Sequence, residues 1–172
     1  VSYDPTFSYE LMVIIQNGME RMFKKQENVF FYITTMNENY YHPELIKGEE
    51  KNIVKGMYLL QNGKKGDLRV QLLGSGSILR ESIEAAKILS NDFNVQADIW
   101  SCTSFNELKR EGDEVSRWNL LHPEKKPRLS FVTQCLEKTK GPVVAATDYV
   151  NCSLIKFVPT CLNLIPYSEQ MA

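Results

Sequence analysis

Apolar positions along the chain follow two periods, one of helices and one of buried strands. Phe7, Leu11, Ile14, Gly18 and Met22 recur at spacings of 4, 3, 4 and 4, which is one face of a helix. Asp4 followed by Pro5 predicts its start, a carboxylate N-cap before a ring already at helical φ. Lys24 and Lys25 fall in its last turn, where positive charge suits the helix dipole. The run 29–35 (VFFYITT) is continuously apolar, β-branched or aromatic, and predicts a strand covered on both faces. From 36 to 68 the chain turns polar, with four glycines and one proline. That composition predicts a connection over the surface, with a short strand or helix near 53–60.

A second unit begins at Arg69. Residues 70–73 predict a strand, and Leu79, Ile83, Ala86 and Leu89 form the buried stripe of the helix after it, opposite Arg80, Glu81, Glu84 and Lys87. Residues 98–102 (DIWSC) predict the next strand, followed by two helical pieces at 105–110 and 114–121 and a proline-punctuated loop, HPEKKP. A helix over 129–138 turns Phe131, Val132, Cys135 and Leu136 inward, and 143–147 (VVAAT) closes the series as a strand. Strands alternating with helices predict an α/β fold, a mostly parallel sheet with flanking helices.

Composition narrows the function classes. A chain of 172 residues with 43% hydrophobic and 24% charged residues can bury a real core. Its formal charge of -1 favours no polyanion, so no nucleic-acid partner is expected, and Lys125 and Lys126 read as part of a solvated loop. No apolar run approaches the ~20 residues that span a bilayer, so no membrane partner is expected either. The four cysteines form no CxxC pair and accompany only two histidines, which argues against zinc. Cys102 and Cys135 read as buried thiols, and reduced thiols with no signal peptide predict a cytoplasmic protein.

The corner Gly74-Ser75-Gly76-Ser77 joins a strand to a helix, as phosphate-binding turns do. A dinucleotide fingerprint needs a third glycine at position 79, which is Leu, and no lysine stands where a P-loop needs one. The corner therefore reads as a tight turn with Ser75 or Ser77 capping the helix, which leaves an anion at the helix start open. The loop Met36-Asn37-Glu38-Asn39-Tyr40-Tyr41-His42 follows a strand, the place where open α/β sheets gather ligands. Glu38 is a candidate acid or base and His42 a candidate proton carrier, although strand-end loops are polar in any case. His122, at the end of a helix containing Trp118, has an ordinary electrostatic explanation.

The strings YDPTFSYE, KQENVFFYITTMNENY, VQLLGSGSILRESIEAAKIL, TSFNELKREGDEVSRWNLLHP and ATDY, spread over residues 2–149, resemble a known family. It is the homodimeric, thiamine-diphosphate-dependent first component of the bacterial pyruvate dehydrogenase complex, of the transketolase-like superfamily. The resemblance implies that 1–42 is the last helix and strand of a pyrimidine-binding domain, 43–68 a linker and 69–149 an incomplete transketolase-like C-terminal domain. It implies a divergent tail at 150–172, where two prolines replace an expected helix, as in a truncated or frame-disrupted copy or a partial reading of the gene. A C-terminal unit lacking a strand and a helix would expose an edge and an apolar face, so marginal solubility is expected.

For the intact protein the resemblance implies oxidative decarboxylation of pyruvate on thiamine diphosphate with magnesium, and transfer of the acetyl unit to lipoyl groups. Its partners would be a second copy and the dihydrolipoyl acetyltransferase core. The family's Gly-Asp-Gly magnesium motif occurs nowhere in the chain, and its activating glutamate and substrate-facing histidines match no position here. No catalytic, cofactor-binding or metal residue is therefore assigned, and the chain by itself is expected to be inactive and to bind no cofactor. A non-catalytic dimerisation module and a related transketolase-like enzyme are the alternatives.

Overall fold

The computed structural model describes residues 1–148 of the chain; the expectation of a divergent tail at 150–172 lies outside them. The element order is β1 (Ser2–Tyr3), α1 (Ser8–Met19) continued by a π-helical turn (Glu20–Lys24), β2 (Tyr32–Ile33), α2 (Glu50–Lys55), β3 (Tyr58–Gln61), β4 (Arg69–Gly74), α3 (Gly76–Phe93), β5 (Gln96–Ser101), α4 (Phe105–Leu121), α5 (Phe131–Leu136) and β6 (Val143–Ala146). The larger sheet has the order β3-β5-β4-β6. Its β4–β5 and β4–β6 pairs are parallel, as the alternation of strands and helices predicts, and β3 joins antiparallel at one edge. The smaller sheet is the parallel pair β1–β2.

Several expectations give way to longer-range contacts. Asp4 does not cap α1. Its amide donates to the Thr103 carbonyl at 2.7 Å, its Oδ1 accepts from Thr34 Oγ1 at 2.7 Å, and the helix starts after Phe7 instead. Once the chain's first strand pairs with β2, Asp4 serves three segments better than one helix end. The run 29–35 is not covered on both faces: Phe31 and Ile33 pack inward, whereas Phe30 and Tyr32 are 75% and 62% exposed. With β1 as the partner of β2 among the described residues, the alternation of a half-buried strand takes over.

The segment 43–68 is no surface linker. Ile53 on α2 and Met57 and Tyr58 beside it are fully buried, and β3 extends the sheet. The short strand or helix expected near 53–60 is present as both, α2 and then β3, but four strand residues amid glycines and lysines do not reveal that β3 closes the sheet as an edge. The two helical pieces expected between 105 and 121 form one helix, α4. At Gly112 a side chain would meet open space, and the helix runs straight through at the modest cost glycine imposes. Ser104 caps α4, accepting from the Glu107 amide at 3.0 Å, and Ser130 caps α5, a helix shorter than the expected 129–138.

The core sits on both faces of the larger sheet. One side joins Met57, Leu73, Trp100, Cys102, Phe105, Leu108, Val132 and Val143 under α4 and α5. The other joins residues from both expected units: Tyr3, Phe7, Tyr9 and Ile14 pack with Ile53, Tyr58, Leu79 and Ile99. The N-terminal helix and the sheet thus share one apolar core. Cys102 and Cys135 sit in or against the α4–α5 side as expected, burial pushing the Cys135 thiol up to about 11 and the Cys102 thiol further. Both are inert as thiols at neutral pH.

Candidate functional site

The loop that leaves the carboxyl end of β2 lies between the start of α1 and the first turns of α3. Glu38 accepts from Arg80 Nη1 at 2.7 Å, and the same guanidinium lies 4.6 Å from the Tyr40 ring centroid. The Tyr40 hydroxyl donates to the Thr6 carbonyl, and burial raises its pKa above the ordinary phenol value. His42 Nδ1 accepts the Ser8 amide at 3.1 Å, which puts the ring proton on Nε2 and satisfies a free donor of the first turn of α1. Its ring lies 4.4 Å from that of Tyr40 and edge-on to Phe7.

Glu38 and His42 are therefore held by different partners. The acid pairs with α3 and the imidazole with α1, and no general acid–base pair forms between them. Beside the loop runs an open groove of about 520 Å³, bordered by Phe7, Tyr40, Tyr41, Leu60, Arg80 and Lys87 among others. Its walls combine aromatic faces with two cations and two acids, Glu81 and Glu84, and the cations are already paired, Arg80 with Glu38 and Lys87 with Glu84, so the groove carries no net charge of its own.

The Gly-Ser-Gly-Ser corner is filled by the chain itself. Gly76 takes a left-handed φ of +52°, its amide donates to the Asp4 carbonyl at 3.1 Å, and its carbonyl accepts from Thr6 Oγ1 at 2.8 Å. Ser75 occupies the N-cap position without capping; its hydroxyl reaches Thr147 Oγ1 at 3.0 Å, and Ser77 donates to Asp148 Oδ2 at 3.2 Å. The expectation of a serine cap fails because both hydroxyls find partners beyond β6. A carboxylate at the helix start repels phosphate, so this corner does not fit a diphosphate. Among the described residues no group of three or more His, Cys, Asp or Glu could hold a metal ion.

His122 ends α4 with Nδ1 2.9 Å from the Trp118 carbonyl and its ring stacked on Trp118, while Arg128 covers the same indole. It packs the turn and faces no groove residue.

The most unusual polar group escaped the pattern reading. Glu10, on α1, is fully buried between that helix and the larger sheet. Its Oε2 accepts the Thr6 and Phe7 amides at 2.6 and 2.9 Å, and its Oε1 accepts the Tyr58 and Ser101 hydroxyls, each at 2.6 Å. Tyr9 continues the chain through Tyr58 at 2.5 Å. Burial raises the Glu10 pKa above the usual carboxylate range against the lowering pull of Ser101, Tyr58 and the two amides. Burial likewise pushes Tyr9 up to about 12 and Tyr58 higher. One signal was available: Glu10 stands three residues after Phe7 and four before Ile14, on the buried face of the helix.

Comparison with known proteins supplies a family. Residues 56–167 match the model of the transketolase-like TK C-terminal domain, and residues 1–43 match that of the pyruvate dehydrogenase E1 component middle domain. The chain is 57% identical over 150 residues to a pyruvate dehydrogenase E1 component of Pseudomonas aeruginosa, covering 87% of this chain and 17% of that protein. It is 52% identical over 164 residues to the counterpart in Cupriavidus necator, covering 92% of this chain and 18% of that protein. With the Escherichia coli K12 counterpart the identity is 51% over 153 residues, or 87% and 17% of the two chains. The chain thus spans less than a fifth of the length of these relatives.

Proposed function

Because the chain belongs to the transketolase-like family through its TK C-terminal domain, we propose that it serves an enzyme of the pyruvate dehydrogenase E1 type. Such an enzyme decarboxylates pyruvate oxidatively on thiamine diphosphate and hands the acetyl unit to a lipoyl group. The observation that carries the reading is the order of two matches, an E1 middle domain at 1–43 followed by a transketolase-like C-terminal domain at 56–167. Identities of 51–57% to three E1 components support it. A second copy of the enzyme and a dihydrolipoyl acetyltransferase core would be its partners, and the cytoplasm its compartment.

The described residues do not fit the cofactor's diphosphate or its magnesium, and no step is routed through either. What the stretch contributes is a wall. The loop at 36–43 lies where α/β sheets meet their ligands, with Tyr40, Tyr41 and Pro43 bordering an open groove. In the assembled enzyme this loop would face the substrate side, and the four-stranded unit would brace it from behind.

Two measurements test the reading. Calorimetric titration of thiamine diphosphate with magnesium into the 172-residue chain is expected to show no tight binding. A chimaera in which this stretch replaces the matching 150 residues of the Pseudomonas aeruginosa relative is expected to release carbon dioxide from pyruvate. Tight magnesium-dependent binding by the chain alone, or a folded chimaera without pyruvate turnover, would overturn it.

A further inference from the structure

The loop after β2 is held by a residue of the other unit. Arg80, on α3, reaches across to pair with Glu38 at 2.7 Å and to cover the Tyr40 ring at 4.6 Å. Tyr40 is tied in turn to Thr6 by its hydroxyl and lies tilted against the ring of His42, whose Nδ1 takes the Ser8 amide. Every second residue of the loop is thereby fastened, whereas Tyr41 is 83% exposed beside the groove.

We propose that Arg80 is a positioning residue: α3 uses it to hold loop 37–42 in one arrangement, so that the C-terminal domain sets the geometry of a loop it does not contain. This rests on the reading that the loop faces the substrate side. An ion pair with an exposed acid is weak alone, and so is an exposed cation–π contact. Here both act on one loop from one rigid helix, through a planar guanidinium that serves the carboxylate at its edge and the ring by its face. Lysine could make either contact, but its single ammonium lacks the planar fork that serves both at once. Order in the loop, more than stability of the fold, is what Arg80 supplies.

Hydrogen exchange on the 172-residue chain tests the clamp directly. Arg80→Met is expected to speed exchange at amides 37–42 by about tenfold while α1 and β5 exchange as before, and Arg80→Lys to recover part of the protection. In the chimaera, Arg80→Met should lower kcat about tenfold with the KM for pyruvate within about twofold, since a displaced loop costs rate more than binding. Unchanged exchange in the loop would overturn the proposal, as would exchange rising equally throughout the fold. So would a looser loop with unaltered kcat. If the chimaera with Arg80 intact turns over no pyruvate, the functional reading fails, and the exchange result still decides whether Arg80 orders the loop.

Discussion

Replacing Glu10 with alanine is expected to destabilise the chain by about 3–5 kcal/mol, a large share of the ~5–15 kcal/mol typical of a domain. The substitution strands four buried donors at once: the amides of Thr6 and Phe7 and the hydroxyls of Tyr58 and Ser101. Each unsatisfied buried donor costs about 1–3 kcal/mol, and rotation of the two hydroxyls recovers a part. Glu10→Gln should cost far less, within about 1.5 kcal/mol. The amide oxygen still receives the two backbone donors, and the amide nitrogen donates to hydroxyls that turn to accept. Urea unfolding of the three proteins at one pH measures this, and equal losses for Ala and Gln would contradict it.

The parent and Glu10→Gln together carry a pH signature. Burial raises the folded-state pKa of Glu10, so the folded chain keeps this proton to higher pH than the unfolded chain does. Its contribution is then fully present below the unfolded carboxylate value and is lost as pH climbs through the folded value. The unfolding midpoint of the parent should fall relative to Glu10→Gln as pH rises above the unfolded carboxylate value. A parent that stays level with the variant over this range, having gained on it at lower pH, would mean a carboxylate held charged in the fold.

Gly141→Ala is expected to cost about 2–4 kcal/mol and to loosen β6. Gly141 has a φ of +87°, which disfavours any side chain, and a Cβ there would lie 1.8 Å from the Arg69 carbonyl oxygen. Neither backbone can retreat without breaking the Gln71 amide to Pro142 carbonyl bond of 2.8 Å that opens the β4–β6 ladder. Gly112→Ala is the control. A side chain there meets open space on α4, and the change should stabilise by about 0.5–1 kcal/mol. Thermal unfolding of both variants checks the pair; a harmless Gly141→Ala would show that β6 does not sit as close to β4 as described.

The parts of the fold that the chain announced are those where one local period decides the outcome. The β4–α3–β5 succession was legible because Leu79, Ile83, Ala86 and Leu89 recur on one helical face between two short apolar runs. The parts that stayed hidden depend on partners distant in sequence. Asp4 carries every mark of an N-cap, yet Thr103 and Thr34 claim it from 99 and 30 residues away. A short strand or helix was expected near 53–60, but that β3 is an antiparallel edge strand of the larger sheet shows only in its pairing with β5. Glu38 and His42 were rightly picked out as members of a strand-end loop, but their partners, Arg80 and Ser8, could not be read from spacing. The Gly-Ser-Gly-Ser corner was correctly read as a tight turn, and what fills it, Asp4, Thr6 and Asp148, comes from segments on either side of it in sequence.

Glu10 matters most because it joins what the sequence suggested were two units. Its carboxyl lies on α1, in the stretch matched to a middle domain, and its hydroxyl donors lie on β3 and β5, in the stretch matched to a C-terminal domain. Tyr3, Phe7, Ile14, Ile53, Leu79 and Ile99 close the same seam with apolar surface. A family boundary drawn along the sequence therefore runs through the middle of one core.

Native-state hydrogen exchange on the chain and on Glu10→Ala weighs this joint body most directly. The amides of Ile14 and Gly18 on α1 and of Ile99 and Trp100 on β5 should open with the same free energy in the parent, and the substitution should lower all four together. Helix amides that open well below those of β5, with β5 indifferent to the loss of the carboxyl, would mean two separately folding pieces that merely touch.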